Sequence, residues 1–160
     1  MRRLPHVLAL LCALTLLVAC GGGIRGGDLP ERVWPPQASL QELRVLPDGR
    51  WQLTVRLTNF STVPVRYGSL RLTPALEEQP AGEVTLNVDV MMAPRTAEPF
   101  EVVLAPDAQA TARLTAALAA GRGIRYALTG EIRSLEPRRS WPQTFEGVLT
   151  PVPGLAGVLR

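Results

Sequence analysis

The chain of 160 residues contains no lysine, one histidine (His6) and two cysteines (Cys12 and Cys20). Everything after Cys20 therefore lacks imidazole, thiol and side-chain amine. Without those groups, Ser-His and Cys-His triads, Ser-Lys pairs and Schiff-base lysines cannot be assembled. Zinc sites built on Cys or His are excluded as well, and so is a disulfide within the body of the chain. No loop carries the Asp-rich spacing that a calcium site requires. The basic residues are all arginine, and no basic run exceeds a pair such as Arg138-Arg139. That gives nucleic acid no footprint. No cofactor, no metal and no catalytic residue is expected, and the chain reads as non-enzymatic.

What the first twenty residues do contain is an export signal. Met1-Arg2-Arg3 is basic, Val7 to Val18 is apolar, and small Ala19 follows. The apolar stretch is shorter than the roughly 20 residues that a permanent membrane helix needs. Leu17-Val18-Ala19-Cys20 fits the processing site of a bacterial lipoprotein, cut between Ala19 and Cys20, with the Cys20 thiol taking a diacylglycerol. An ordinary signal peptide cut elsewhere would leave Cys20 a free thiol. Lipidation is favoured because Cys20 stands where the apolar run stops and Gly21-Gly22-Gly23 begins. Each buried methylene of a palmitoyl-type chain adds about 0.8 kcal/mol, so several chains make release negligible. Gly21, where a retention signal needs Asp, points to the outer membrane, facing the periplasm. Cleavage removes Arg2 and Arg3, leaving 15 arginines against 14 acids in a nearly neutral mature chain. The partners expected are the membrane, through the anchor, and envelope proteins that the sequence does not identify. Oligomeric state is not encoded.

The organisation expected is a signal peptide over 1–19, a flexible Gly/Pro linker over 20–36, one folded domain over 37–152 and a tail over 153–160. Trp34, near the end of the linker, has two competing roles: dipping into a lipid interface or capping the domain edge. From Gln37 the dominant hydrophobic period is two. Leu43 and Val45 lead to the turn Pro47-Asp48-Gly49. Trp51, Leu53, Val55 and Leu57 then face one way. Val65 and Tyr67 are out of phase with Leu70 and Leu72, which a bulge at Gly68-Ser69 reconciles. Pro74 and Glu77 to Gly82 read as a loop. Strands follow at Val84–Val90 and Phe100–Leu104. A helix is expected from Asp107, as its cap, to Gly121, in a left-handed conformation. Two last strands start at Ile124 and Trp141, separated by a polar loop from Glu136 to Ser140. Seven strands with one inserted helix predict an all-β sandwich.

Several of these segments resemble the type-2 late embryogenesis abundant domain, also called the water-stress and hypersensitive-response domain. They are Leu53 to Asn59, Val63-Pro64-Val65 with Tyr67, Tyr126-Ala127-Leu128-Thr129-Gly130 and Phe145-Glu146-Gly147-Val148-Leu149. The likeness spans Leu40 to Val152. At the family's Asn-Pro-Asn turn, Asn59 is kept while Phe60 and Ser61 replace the other two residues. The resemblance implies a fibronectin-like sandwich, a part in stress tolerance and desiccation, and no catalytic residues. Asn59 is then a structural turn residue.

Two surface features are weighed as sites. Arg138 and Arg139 beside Trp141 form a candidate binding loop for an anionic glycan or head group, by charge and stacking; incidental loop arginines are the competing reading. Glu77-Glu78 is an acid pair, but adjacent loop carboxylates do not span the 5–10 Å or so across a cleft that glycoside hydrolysis needs. A hydrolase would need distant acids brought together, such as Glu98 or Glu101 with Glu131. The function expected is a lipid-anchored envelope protein that protects or binds envelope proteins or the membrane surface. The alternative is a specific adaptor in an envelope assembly such as a secretion or lipid-transport complex.

Overall fold

A computed structural model describes Glu31–Arg160. The signal peptide, Ala19, Cys20 and the glycine run of the linker lie outside the described residues. The described residues form an all-β sandwich of two antiparallel sheets with one helix. Its strands are β1 (Gln37–Val45), β2 (Trp51–Thr58), β3 (Val65–Leu76), β4 (Gln79–Pro80) and β5 (Val84–Met92). Then come β6 (Ala97–Leu104), helix α1 (Ala108–Ala119), β7 (Ile124–Glu136), β8 (Arg138–Leu149) and β9 (Val158–Leu159). One sheet runs β6-β2-β1-β9; in the other, β3 pairs β7 on one side and β4 and β5 on the other, and β8 closes the far edge.

Alternation in the sequence becomes the core. Trp51, Leu53, Val55 and Leu57 on β2 are all buried and face Leu70 and Leu72 on β3 and Leu128 and Ile132 on β7 across the sandwich. Each such side chain contributes about 1.5–3 kcal/mol when fully buried. The two phases of β3 are reconciled by a register shift between Tyr67 and Ser69, present against both β5 and β7. Gly68 fits there because Leu135 covers it; a Cβ would stand 2.8 Å from the Leu135 Cδ2.

Helix α1 buries Ala110, Leu114 and Ala117, spaced to share one face, and ends as expected, with Gly121 at φ 60°. Asp107 occupies the position before the first turn but makes no side-chain cap bond. Its side chain is therefore a poorer cap than its residue type suggested.

Four other expectations need correction. Pro74 is not in a loop: β3 continues to Leu76, and the short β4 pairs back against it. Proline is tolerated because its missing N–H faces the gap between β5 and β4, while its carbonyl accepts from Ala81 N–H at 2.8 Å. Only Pro137 separates β7 from β8, after a cis Glu136–Pro137 bond, so the polar loop is a tight hairpin. Residues 153–160, expected only as a tail, end in a short strand. Val158 and Leu159 are buried and pair with Arg44 and Leu43 of β1. Finally, the last residues of the linker already belong to the domain. Arg32 N–H donates to the Thr62 hydroxyl Oγ1, its carbonyl accepts from Thr62 N–H, and Trp34 N–H donates to Ser61 Oγ.

Glu42 fastens the C-terminus. It accepts from Arg44 Nη2 and from Arg160 Nε, each at 2.8 Å. The hydrogen bonds from Arg44, then Arg160, hold its carboxyl below the ordinary 4.5. A depressed folded-state value means stability present above about pH 4.5 and lost as pH falls through the folded value. Arg160→Gln should therefore flatten the acid limb of a Tm-against-pH curve below pH 4.5. An unchanged limb would remove this ion pair from the account.

Candidate functional site

Two buried polar arrangements hold the sandwich together, and both involve residues of the segments quoted above. Asn59 is fully buried at the end of β2. Its amide Nδ2 donates to the carbonyls of Ala93 (3.0 Å), Met92 (3.3 Å) and Val63 (3.4 Å), sharing its two hydrogens among three acceptors. Its Oδ1 accepts from Ser61 N–H at 3.0 Å and the Tyr67 hydroxyl at 3.2 Å. The side chain thus joins β2, its following loop, β3 and the end of β5. Burial pushes the Tyr67 hydroxyl up to about 12, so it stays a donor. Asn59 has no unused hydrogen-bonding capacity to offer a ligand.

The second arrangement lies where β1 meets the opposite sheet. Strand β9 pairs with β1 only at Leu43 and Arg44, which leaves the backbone edge at Ala38 and Leu40 open. Side chains close it. Gln143 Oε1 accepts from Ala38 N–H at 3.0 Å, and its Nε2 donates to the Ala38 carbonyl at 2.8 Å. The Tyr126 hydroxyl accepts from Leu40 N–H at 3.1 Å and donates to its carbonyl at 3.3 Å. Gly147 stands opposite Tyr126 in the β7–β8 register, and any Cβ there would come within 2.7 Å of the Tyr126 ring. The tyrosine and glycine of the two quoted segments are therefore one packing unit. Gln143 was not singled out in the sequence; its signal was a polar residue at an inward position between Trp141 and Phe145.

Removing either cap leaves a buried backbone N–H and C=O unpaired, at about 1–3 kcal/mol. Tyr126→Phe and Gln143→Leu should each lower the unfolding free energy by that amount, read as a lower urea midpoint at unchanged m, and because they cap nearby residues their effects should not add fully. Midpoints equal to the parent would show that water satisfies this edge.

The candidate binding loop has a different form from the one expected. Arg138, Arg139 and Ser140 do line an open groove with Gly68, Ser69, Asn87, Arg133 and Leu135. Trp141, however, is buried and packs against Tyr67, with ring centroids 6.5 Å apart. It does not stack with a ligand in that groove. Arg138 and Arg139 form no ion pair with any described residue, whereas Arg133 is held by Glu131.

Glu77 and Glu78 occupy the tight turn between β3 and β4, both at positive φ (45° and 69°), on an open groove that Glu146 also lines. Glu77 is engaged by Arg122 at 2.6 Å, which holds its carboxyl below the ordinary range. The distant acids are not brought together. Glu98 and Glu101 sit on β6 of one sheet, Glu131 on β7 of the other, and Glu101 accepts from Gln52 while Glu131 is held by Arg133. Among the described residues no cluster of acids suits a metal ion, and no helix is long and apolar enough to cross a membrane. Ala19 and Cys20, the cleavage and lipidation residues, lie outside the described residues.

No protein-family model and no curated protein matches the chain. It is similar to several solved structures. One is from Archaeoglobus fulgidus, 16% identical, TM-score 0.42, covering 76% of this chain and 98% of that one. A solution structure from Arabidopsis thaliana is 12% identical, TM-score 0.48, covering 76% and 82%. A protein described as a late embryogenesis abundant (LEA) protein is also 12% identical, TM-score 0.48, covering 92% and 86%.

Proposed function

We propose that this chain is a lipid-anchored, non-enzymatic protein of the bacterial envelope, held at the outer membrane through Cys20, that protects envelope proteins or the membrane surface under water stress. The observation that carries the reading is the placement of chemistry along the sequence. Every thiol and imidazole lies at or before Cys20, and no lysine exists anywhere. The body is left with arginines and carboxylates, many of them already paired on its surface. Such a body suits weak, reversible contact better than covalent catalysis. The resemblance of Leu53–Asn59, Tyr126–Gly130 and Phe145–Leu149 to the type-2 late embryogenesis abundant domain supports the stress assignment.

The test is aggregation of a model enzyme through drying or freeze–thaw cycles. The chain in vesicles should reduce it more than an equal mass of an inert protein; equal aggregation sinks direct protection. The adaptor alternative is confined to one long edge: β6 and β8 carry Pro99 and Pro142, whereas β5, which pairs only with β3, carries no proline. Proline withholds a ladder donor and discourages addition of a partner strand. In-cell crosslinking that recovers one stoichiometric partner would nevertheless select the adaptor.

A further inference from the structure

One end of the sandwich gathers features that the folded domain does not use. The chain enters there: Arg32 and Trp34 are bonded to the β2–β3 loop at Thr62 and Ser61. The β5–β6 turn is at the same end, since Asn59 N–H donates to the Thr96 carbonyl. So is the tip of the β7–β8 hairpin, because Glu136 pairs with Arg66 at the start of β3. Of the seven large hydrophobic side chains left exposed among the described residues, four belong to this end: Trp34, Phe60, Met91 and Leu135. Four arginines here, Arg32, Arg95, Arg138 and Arg139, form no ion pair with any described residue. The acids Asp89 and Glu136 are both engaged by Arg66, which leaves only Glu31 and Glu98 uncommitted among the described residues of this end.

The aromatic residues are displayed rather than packed. Trp34 is 46% exposed although its backbone is fastened to Ser61, with the Arg32 guanidinium 6.0 Å from its ring centre. Phe60 is 48% exposed beside Asn59, which is wholly buried. An amphipathic ring held outward next to unpaired arginines matches the interface of an anionic bilayer, where Trp sits at head-group level and Arg meets phosphate.

We propose that this entry end is a membrane-docking face for anionic phospholipid head groups, with Trp34 and Phe60 at the acyl boundary. The proposal rests on the anchored reading above. Only residues 21–30 lie between Cys20 and the described domain. Ten residues reach at most about 36 Å whatever their conformation. Anchored at Cys20, the domain is kept within a few nanometres of the lipid, and the end at which the chain enters is the one presented to it. A tether that short raises the local concentration of the face at the surface, so contacts too weak to bind alone become occupied.

Intrinsic fluorescence reads this face, because Trp51 and Trp141 are 1% and 8% exposed and Trp34 is the accessible tryptophan of the described domain. The chain as recovered from the envelope of an expressing bacterium is reconstituted into vesicles of phosphatidylcholine alone or with phosphatidylglycerol, with acyl chains brominated near the head group. Flotation is measured in parallel. On the anionic vesicles Trp34 emission should be quenched by the brominated lipid and shielded from aqueous acrylamide. Quenching should fall by at least half in phosphatidylcholine alone, at high salt, and in Arg138→Glu/Arg139→Glu. Trp34→Phe should abolish it, and thermal melts of both variants should match the parent. Flotation without quenching overturns the docking face and leaves the anchor standing. A chain that floats with neither vesicle overturns the anchored reading and the docking face together.

Discussion

Gly130→Ala should cost about 4 kcal/mol or more, the range reached only by substitutions with a specific structural conflict. Gly130 has φ +146°, and a Cβ built there would lie 2.0 Å from the Arg71 carbonyl oxygen and 3.0 Å from Leu72 Cα. Those atoms are the backbone of β3, the strand that pairs with β4, β5 and β7, so nothing flexible can yield. Relief requires β3 and β7 to part at the Leu72–Gly130 pair, beside Leu128 and Ile132 in the core. Against a total stability of about 5–15 kcal/mol, a loss of that size leaves a marginal fold. Gly49→Ala is the control. Gly49 has φ +85° but nothing within 4 Å, so only the left-handed backbone cost of about 1–2 kcal/mol applies. Equilibrium urea unfolding of the two variants should separate them clearly. Similar midpoints would mean that the close approach of β7 to β3 is not tight.

Asn59→Ala should rank second, at about 3 kcal/mol. It strips the Met92 and Ala93 carbonyls of an amide donor, and Ser61 N–H and the Tyr67 hydroxyl of their acceptor. Each buried group left unpaired costs about 1–3 kcal/mol, with incomplete additivity inside one network. Asn59→Asp should not rescue it, since a carboxylate keeps the acceptor but turns negative charge toward two or three carbonyl oxygens. Tyr67→Phe should cost about 1 kcal/mol alone and less in the Asn59→Ala background, where its partner is already gone. Additive costs would show that the hydroxyl and Asn59 act independently.

Much of this fold was legible in the sequence because it is carried by local alternation. Trp51 to Leu57, Val84 to Val90 and Ile124 to Ile132 announce their inward faces by period alone. The phase break between Tyr67 and Leu70 disclosed the bulge, since one extra residue moves the alternation to the other face. What was illegible depends on contacts far along the chain. Pro74 ends a strand by local rule, yet here its missing N–H faces a gap between two other strands. Val158 and Leu159 have no periodicity of their own and become a strand only where β1 offers an unpaired edge. Gln143 looked like an ordinary polar position until Ala38, 105 residues earlier, supplied its partner.

The candidate sites divide the same way. Arg138 and Arg139 were visible as a pair, but the inward face of Trp141 was decided by strand phase once the hairpin closed at Pro137 rather than at a longer loop. The gathering of Arg32, Trp34, Phe60 and Arg95 at one end was invisible, because three separate segments build it. Phe60 did carry a local signal, standing where the resembled family has proline. In a buried turn that exchange would be costly; on an exposed rim it adds an apolar side chain at little expense to the fold.

Cys20 decides whether the chain is anchored, and one measurement tests its modification directly. The chain is expressed in a bacterium, recovered from the envelope fraction, and its N-terminal peptide is weighed by mass spectrometry. The peptide should begin at Cys20 and carry the mass of a diacylglyceryl group with its acyl chains, and that species should be lost in Cys20→Ala. A peptide in which Ala19 still precedes Cys20, or one in which Cys20 alkylates as a free thiol, would contradict the lipid anchor.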